Sequence, residues 1–357
     1  MALNTLFLYI TARTIHTTTI QDLFLMKLSK IVAVLILLLS FTLAVSAQDD
    51  LGKQLSKVAG QNAINYVSPI LSGFGADLNS GFYHSADLHD VLGFDVGLKL
   101  SAVTPTDADK SFDFVLPDQI VYSGFTLRAG VDYDKTITGS PTALGEGTGR
   151  EVKVKSTSGF VPLRGQTIFT TPQGFNLKAV PLILPQASIG LPLGFEVVGR
   201  FIPTMTIPPS GFGDPVGKMN FIGFGLRHSI DQYIPLCPVD IAVHFMTQKL
   251  TISDDNDNKI FSGNGTAYGV EVSKSLAVLT LYGGFQLEKS SWEVEPYKYS
   301  DPSTNATVQL SGFSVDGKNK SRFHAGVRLL LLIVNVHADY SFATHPVLTA
   351  GVGITLR

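Results

Sequence analysis

Arg227, His244, Glu271, Glu288, His324, Arg328, His337 and Asp339 are ionisable residues set on the polar side of alternating segments. Held together inside a closed wall, they would line a lumen that gates or binds a solute. The plainer chemistry is mutual charge compensation. A hydrolase needs more than this. His337 and Ser341 share a strand face but lie four residues apart, about 13 Å at ~3.3 Å per residue, too far for direct proton transfer. No Gly-x-Ser-x-Gly elbow, His-Glu-x-x-His pair or Cys-x-x-Cys pair occurs. Asp254, Asn256 and Asn258 imitate the opening of a calcium loop, but Lys259 stands at its sixth place and Gly265 at its twelfth. Cys237 is alone, so no intrachain disulfide forms. The residues therefore assign no catalytic group, no metal ligand and no cofactor, and the chain is not expected to be an enzyme.

Strands must position this chemistry. Val334, Val336, Ala338, Tyr340 and Phe342 alternate with Asn335, His337, Asp339 and Ser341, the period-two pattern of a sheet with unlike faces. A soluble sandwich buries the apolar face, whereas an outer-membrane barrel turns it to lipid. Similar segments span 94–102, 176–189, 195–207, 218–228, 238–252, 263–274, 277–295, 320–330, 334–343 and 347–357. Weaker ones fall near 111–116, 121–133, 150–156 and 165–171. Brief links near 235–239, 273–277 and 330–333 alternate with longer polar connections at 208–217, 253–262 and 296–319. Tight periplasmic turns and long external loops alternate in this way in outer-membrane barrels.

Composition agrees. Charged residues are 16% of the 357, against roughly 25% in soluble domains, and a net charge of −2 gives nucleic acid no purchase. From Met26, two lysines, the apolar run 31–45 and the small residues Val45-Ser46-Ala47 have the three parts of a secretory signal peptide. Residues 1–25 read as an upstream extension, 26–47 as the signal, 48–80 as a helical plug and 81–357 as the barrel. In the plug, Leu51, Leu55, Val58, Ala59, Ala63, Tyr66, Val67 and Ile70 recur at helical steps, and Pro69, Gly73 and Gly75 are expected to end the helix.

The closing strand AGVGITLR (350–357) resembles the signal by which the barrel-assembly machinery recognises its clients, with Gly351, Ile354 and Leu356 at the pattern positions. It departs from the pattern at Arg357, where a terminal aromatic is usual. More widely, PILSGFGADLNSGFYHSA (69–86), FDVGLKL (94–100), FIGFGLRHSI (221–230) and HADYSFATHPVLTAGVGITLR (337–357) resemble uncharacterised outer-membrane barrels of Bacteroidetes-type bacteria, distantly similar to FadL-type fatty-acid transporters. The resemblance implies an N-terminal plug and passage of hydrophobic compounds.

The expectation is an all-β, transmembrane antiparallel barrel of about 12–14 strands with a short N-terminal helical plug, in the bacterial outer membrane. Its partners would be outer-membrane lipid, the assembly machinery and a small, hydrophobic solute crossing passively. Two rivals stay open: a structural or adhesive barrel with ligand-binding loops, and a soluble periplasmic β-protein.

Overall fold

The computed structural model describes residues 49–207, 217–254, 257–300, 307–310 and 312–357. The expected upstream extension and signal peptide, and loop residues 208–216, lie outside them.

Ten long strands form the wall: β1 (Phe94–Val103), β2 (Val180–Leu191), β3 (Phe195–Ile207), β4 (Gly217–Ser229), β5 (Asp240–Ser253), β6 (Lys259–Leu276), β7 (Leu279–Val294), β8 (Ser321–Leu331), β9 (Val334–Phe342) and β10 (Val347–Leu356). Each pairs antiparallel with its neighbours in the chain. β10 closes on β1, from Phe94 opposite Leu356 to Val103 opposite Val347. Closure leaves no long edge to template aggregation.

The barrel thus has ten strands, not 12–14. The excess came from segment 104–179, whose weak strands pair outside the wall: Ser111–Val115 with Thr136–Pro141, Gln119–Tyr122 with Phe125–Arg128, and Glu151–Lys153 with Thr167–Thr170. Strands of three to six residues are too short for a tilted crossing, which takes about 9–11. They fold instead around their own core of Phe114, Leu116, Ile120, Leu127, Tyr133 and their neighbours.

Links 192–194, 230–239, 277–278 and 332–333 lie at the end that carries Arg357; segments 104–179, 208–216, 254–258, 295–320 and 343–346 join strands at the other. The two-residue links place Ala277 and Leu332 at positive φ, 54° and 59°, the turn hand that strand twist favours.

The alternation now has a direction. On β9, Val336 is 46% exposed and His337 3%, and outward apolar residues continue around the wall through Leu98, Phe201, Ile222, Phe323 and Leu348. Ile354 and Leu356 point outward with them. A band of that kind is what lipid covers in a membrane barrel.

Helix α1 (Asp49–Leu78) is 30 residues long, or about 45 Å at 1.5 Å per residue, and its last turns run inside the wall. It does not stop at Pro69. Every residue from Pro69 to Leu78 is buried, so packing on all sides outweighs the weak helix propensity of Gly73 and Gly75, about 1 kcal/mol each. Gly75 has a steric reason to be glycine, because a Cβ there would lie 2.0 Å from Ser290 Oγ. The plug is also longer than 48–80: residues 82–86 stay buried in the lumen before β1 begins at Phe94.

Candidate functional site

The lumen is filled in layers. Nearest the long-loop end, Leu182, Leu184, Met219, Phe221, Leu250, Ile252, Phe261 and Trp292 turn inward from β2 to β7 and meet Phe74 and Leu78 of α1. Trp292 stacks on Phe261 at 4.9 Å and meets Phe74 edge-on at 6.2 Å. The gap left between helix and wall is about 20 Å³, room for one water and no more.

Below it, arginines grip the end of the helix. The last carbonyls of a helix have no partner within it and carry the negative end of its dipole, and α1 has no basic residue of its own in its last turn. The wall supplies the charge. Arg322 of β8 donates to Ala76 O at 2.7 Å and to Ser80 Oγ, while its Nε and Nη2 clasp Glu288 at 2.7 and 2.8 Å. Arg200 of β3 donates to Leu78 O at 3.2 Å and Ser80 O at 2.7 Å. It is 1% exposed, sits over the Phe82 ring at 4.6 Å, and leans on Gln186 Oε1 and Gln248 Oε1 at 2.8 and 3.0 Å. Gln248 and Gln286 donate to Leu78 O and Asn79 O at 2.6 and 2.8 Å.

A third arginine holds the irregular segment that follows. Arg227 pairs with Glu196 at 2.5 Å and with both oxygens of Glu271 at 3.0 and 2.5 Å, and donates to Ser85 O. Glu196 also accepts from His89 Nδ1 at 2.7 Å. His244 Nδ1 lies 3.1 Å from Glu271. On the opposite wall, Asp95 accepts from Asn335 and Thr355 at 2.6 and 2.5 Å. Lys99 Nζ donates to His337 Nε2 at 3.0 Å, leaving His337 Nδ1 to donate to Asn335 Oδ1 at 3.1 Å. Tyr282 donates to Asp339 at 3.0 Å.

At the long-loop rim, Ser72 Oγ is 3.1 Å from His345 Nδ1, and His345 Nε2 is 3.1 Å from Asp109 Oδ2. These are the residue types of a hydrolytic triad. All three are buried, and Ser72 Oγ already accepts Lys318 N–H at 2.8 Å, so the cluster fastens α1 to three rim segments. Burial alone would push the Asp109 carboxyl up, but hydrogen bonds from His345, Lys318 and Thr106 hold it well below the ordinary carboxylate range.

All eight residues expected on the lumenal face turn inward; seven are buried and His324 is half-buried against the Tyr83 ring at 5.0 Å. They do not form one cluster. Arg227, His244 and Glu271 share one wall, Glu288 serves Arg322, and Arg328 stands opposite His337 across β8 and β9. Nor do they line an open bore, because residues 69–86 occupy it. Arg200 and Arg322, which bind the helix end, were not anticipated. A period-two signal was present for Arg200, since Glu196, Val198 and Arg200 alternate inward while Phe201 faces out.

Comparison with known proteins places the chain in a family. A family model described as a family of unknown function, DUF6588, matches residues 26–356, and the chain belongs to that family. No curated protein matches. Among solved structures, the β domain of the Bordetella autotransporter Brka is 12% identical with a TM-score of 0.31, covering 74% of this chain and 99% of that one. The translocator domain of the autotransporter NalP from Neisseria meningitidis is 9% identical at 0.30, covering 80% and 92%. A Pseudomonas aeruginosa FadL homologue is 10% identical at 0.21, covering 83% and 93%. Likenesses this weak decide nothing about the activity of this chain.

Proposed function

We propose that this family member is a gated outer-membrane conduit through which a small hydrophobic solute crosses passively, along the seam between α1 and the wall from β2 to β7. One observation carries the reading: the inward layer of that wall nearest the long loops is apolar, whereas membrane-barrel interiors are ordinarily polar, as this one is in the layer below. A hydrophobic solute entering the apolar layer gains roughly 25 cal/mol per Å² of apolar surface removed from water; a sugar or ion would gain no partner within the layer. With about 20 Å³ free, the seam is shut while α1 is docked, so passage requires the helix to yield. No bond is made or broken. The reading keeps the plug and hydrophobic cargo that the FadL-type resemblance implied, and its partners are lipid, the assembly machinery and the solute. A second reading, a barrel that binds partners through its loops, draws on segment 104–179, which has a core of its own and exposes Phe125 and Val161.

Tethering the helix tests the gate. A Cβ built at Gly73 lies 3.5 Å from Val180 Cβ, within the ~3.5–4.5 Å range of a disulfide. Gly73→Cys with Val180→Cys, in a Cys237→Ser background, should close under oxidation. Cells carrying the oxidised protein should take up N-phenylnaphthylamine no faster than cells lacking it, and reductant should restore the faster rate. Equal uptake in both redox states would contradict the gate. Faster uptake of a sugar but not of the dye on reduction would replace the hydrophobic cargo with a polar one.

A further inference from the structure

We infer that the short-link mouth of the barrel is itself a lipid-binding surface, whose turn tips insert among the acyl chains of the leaflet on that side. The basis is the residue type at strained backbone positions. A residue at positive φ is ordinarily Gly, Asn or Asp, because a larger side chain crowds its own backbone there. Among the described residues, polar Ser123, Asn176 and Asp257 take this conformation at the long-loop end. At the short-link end the same conformation falls to Leu92, Leu193, Leu236, Ala277 and Leu332. The four leucines are 72% to 100% exposed, so they fill no core. Every link on this mouth, and the segment leading into β1, presents an apolar side chain in a conformation that disfavours it.

Lipid is the occupant that the surroundings fit, because the tips continue the outward apolar band without a break. Leu329, Leu331 and Val334 are exposed beside Leu332 and Ile333, and Leu276 and Val278 beside Ala277. β9 has nine residues, about 23 Å across the membrane at ~3.3 Å each and a ~40° tilt, short of the ~25 Å apolar band. Including Leu332 and Ile333 extends it to about 28 Å. The link at the other end of β9 instead exposes Thr344. Backbone groups at the tips are also paired, as hydrocarbon requires. Leu92 N donates to Gly190 O at 3.0 Å, Leu330 N to Val278 O at 2.8 Å and Thr355 N to Ile333 O at 2.7 Å. Gln232 Nε2 donates to Leu193 O at 3.2 Å. Lys274 and Arg357 lie at this mouth, and side chains of that length hold their charge at headgroup level over an apolar stem. A hydrophobic solute leaving the bore here meets acyl chains before water; that consequence rests on the cargo proposed above, whereas the seating does not.

Single cysteines carrying bimane test the seating in the full chain with Cys237→Ser, folded into phosphatidylcholine vesicles. Only protein with the gel mobility of a folded barrel is scored. Leu236→Cys and Leu332→Cys report two tips, Val336→Cys the outward wall and Thr344→Cys the polar link at the other end. A phosphatidylcholine brominated near the headgroup end of its acyl chains should quench both tip probes to within twofold of the wall probe, and at least threefold more than Thr344→Cys. Aqueous iodide should give the reverse order. Tip probes that iodide quenches like Thr344→Cys, with no effect of bromolipid, would overturn the inference and put the turns in water. Tip probes shielded from both quenchers would overturn it too, in favour of contact with a second copy. Each tip is read separately, so a variant that fails to fold leaves the other to decide. Failure of the tether experiment would remove the gated cargo route and leave this seating standing.

Discussion

Arg227→Met should cost about 3–5 kcal/mol of stability, the usual result of removing one partner from a buried ion pair. The loss is not of a contact alone. Glu196 and Glu271 are both buried and both bonded to this one guanidinium, and its removal strands two carboxylates in a lumen with little room for water. The triple variant Glu196→Gln, Arg227→Met, Glu271→Gln strands no charge and should recover most of the loss. Unfolding in urea, followed by the gel mobility of the folded barrel, measures both. A single variant within about 1 kcal/mol of the parent would show that the three residues are hydrated and that the lumen is open.

Removing the grip on the helix end should release α1 without unfolding the wall. Arg200→Met, Arg322→Met and Glu288→Gln together delete four bonds from arginine to residues 76–80, with Glu288 neutralised so that it is not left alone. Hydrogen bonds from charged groups contribute about 1.5–3 kcal/mol each, and water recovers much of that in the undocked state. A net loss of about 3 kcal/mol lowers the ratio of docked to undocked helix roughly a hundredfold. Trp292 is the single tryptophan and touches Phe74 of α1, so its quenching by acrylamide reports docking. Quenching should rise in the triple variant at unchanged barrel mobility. Unchanged quenching would mean that the apolar layer alone holds the helix.

The wall was legible because a strand with one face on lipid and one in the lumen must alternate, and ten segments did. The count went astray at 104–179, where short alternating runs look like weak strands whether they cross a membrane or fold above it. Helix α1 was legible up to Pro69. Beyond it, burial on every side erases the amphipathic period, and glycines that read as a stop serve close approach to Ser290 and Val180. The lumenal charges were legible singly, since inward position follows from parity. Their division into separate walls was not, because it depends on which plug carbonyl lies beside which arginine. That is a matter of how residues 69–86 thread the bore, which no local pattern encodes.

Single-channel recording in planar bilayers tests most directly whether the N-terminal segment is what closes the barrel. The chain lacking residues 49–86 keeps every wall strand, and its insertion can be scored by gel mobility before recording. Removing a helix about 10 Å across should convert a closed protein into one with stable open steps. Open steps of the same size from the intact chain would contradict the account, because the bore would then conduct with α1 in place.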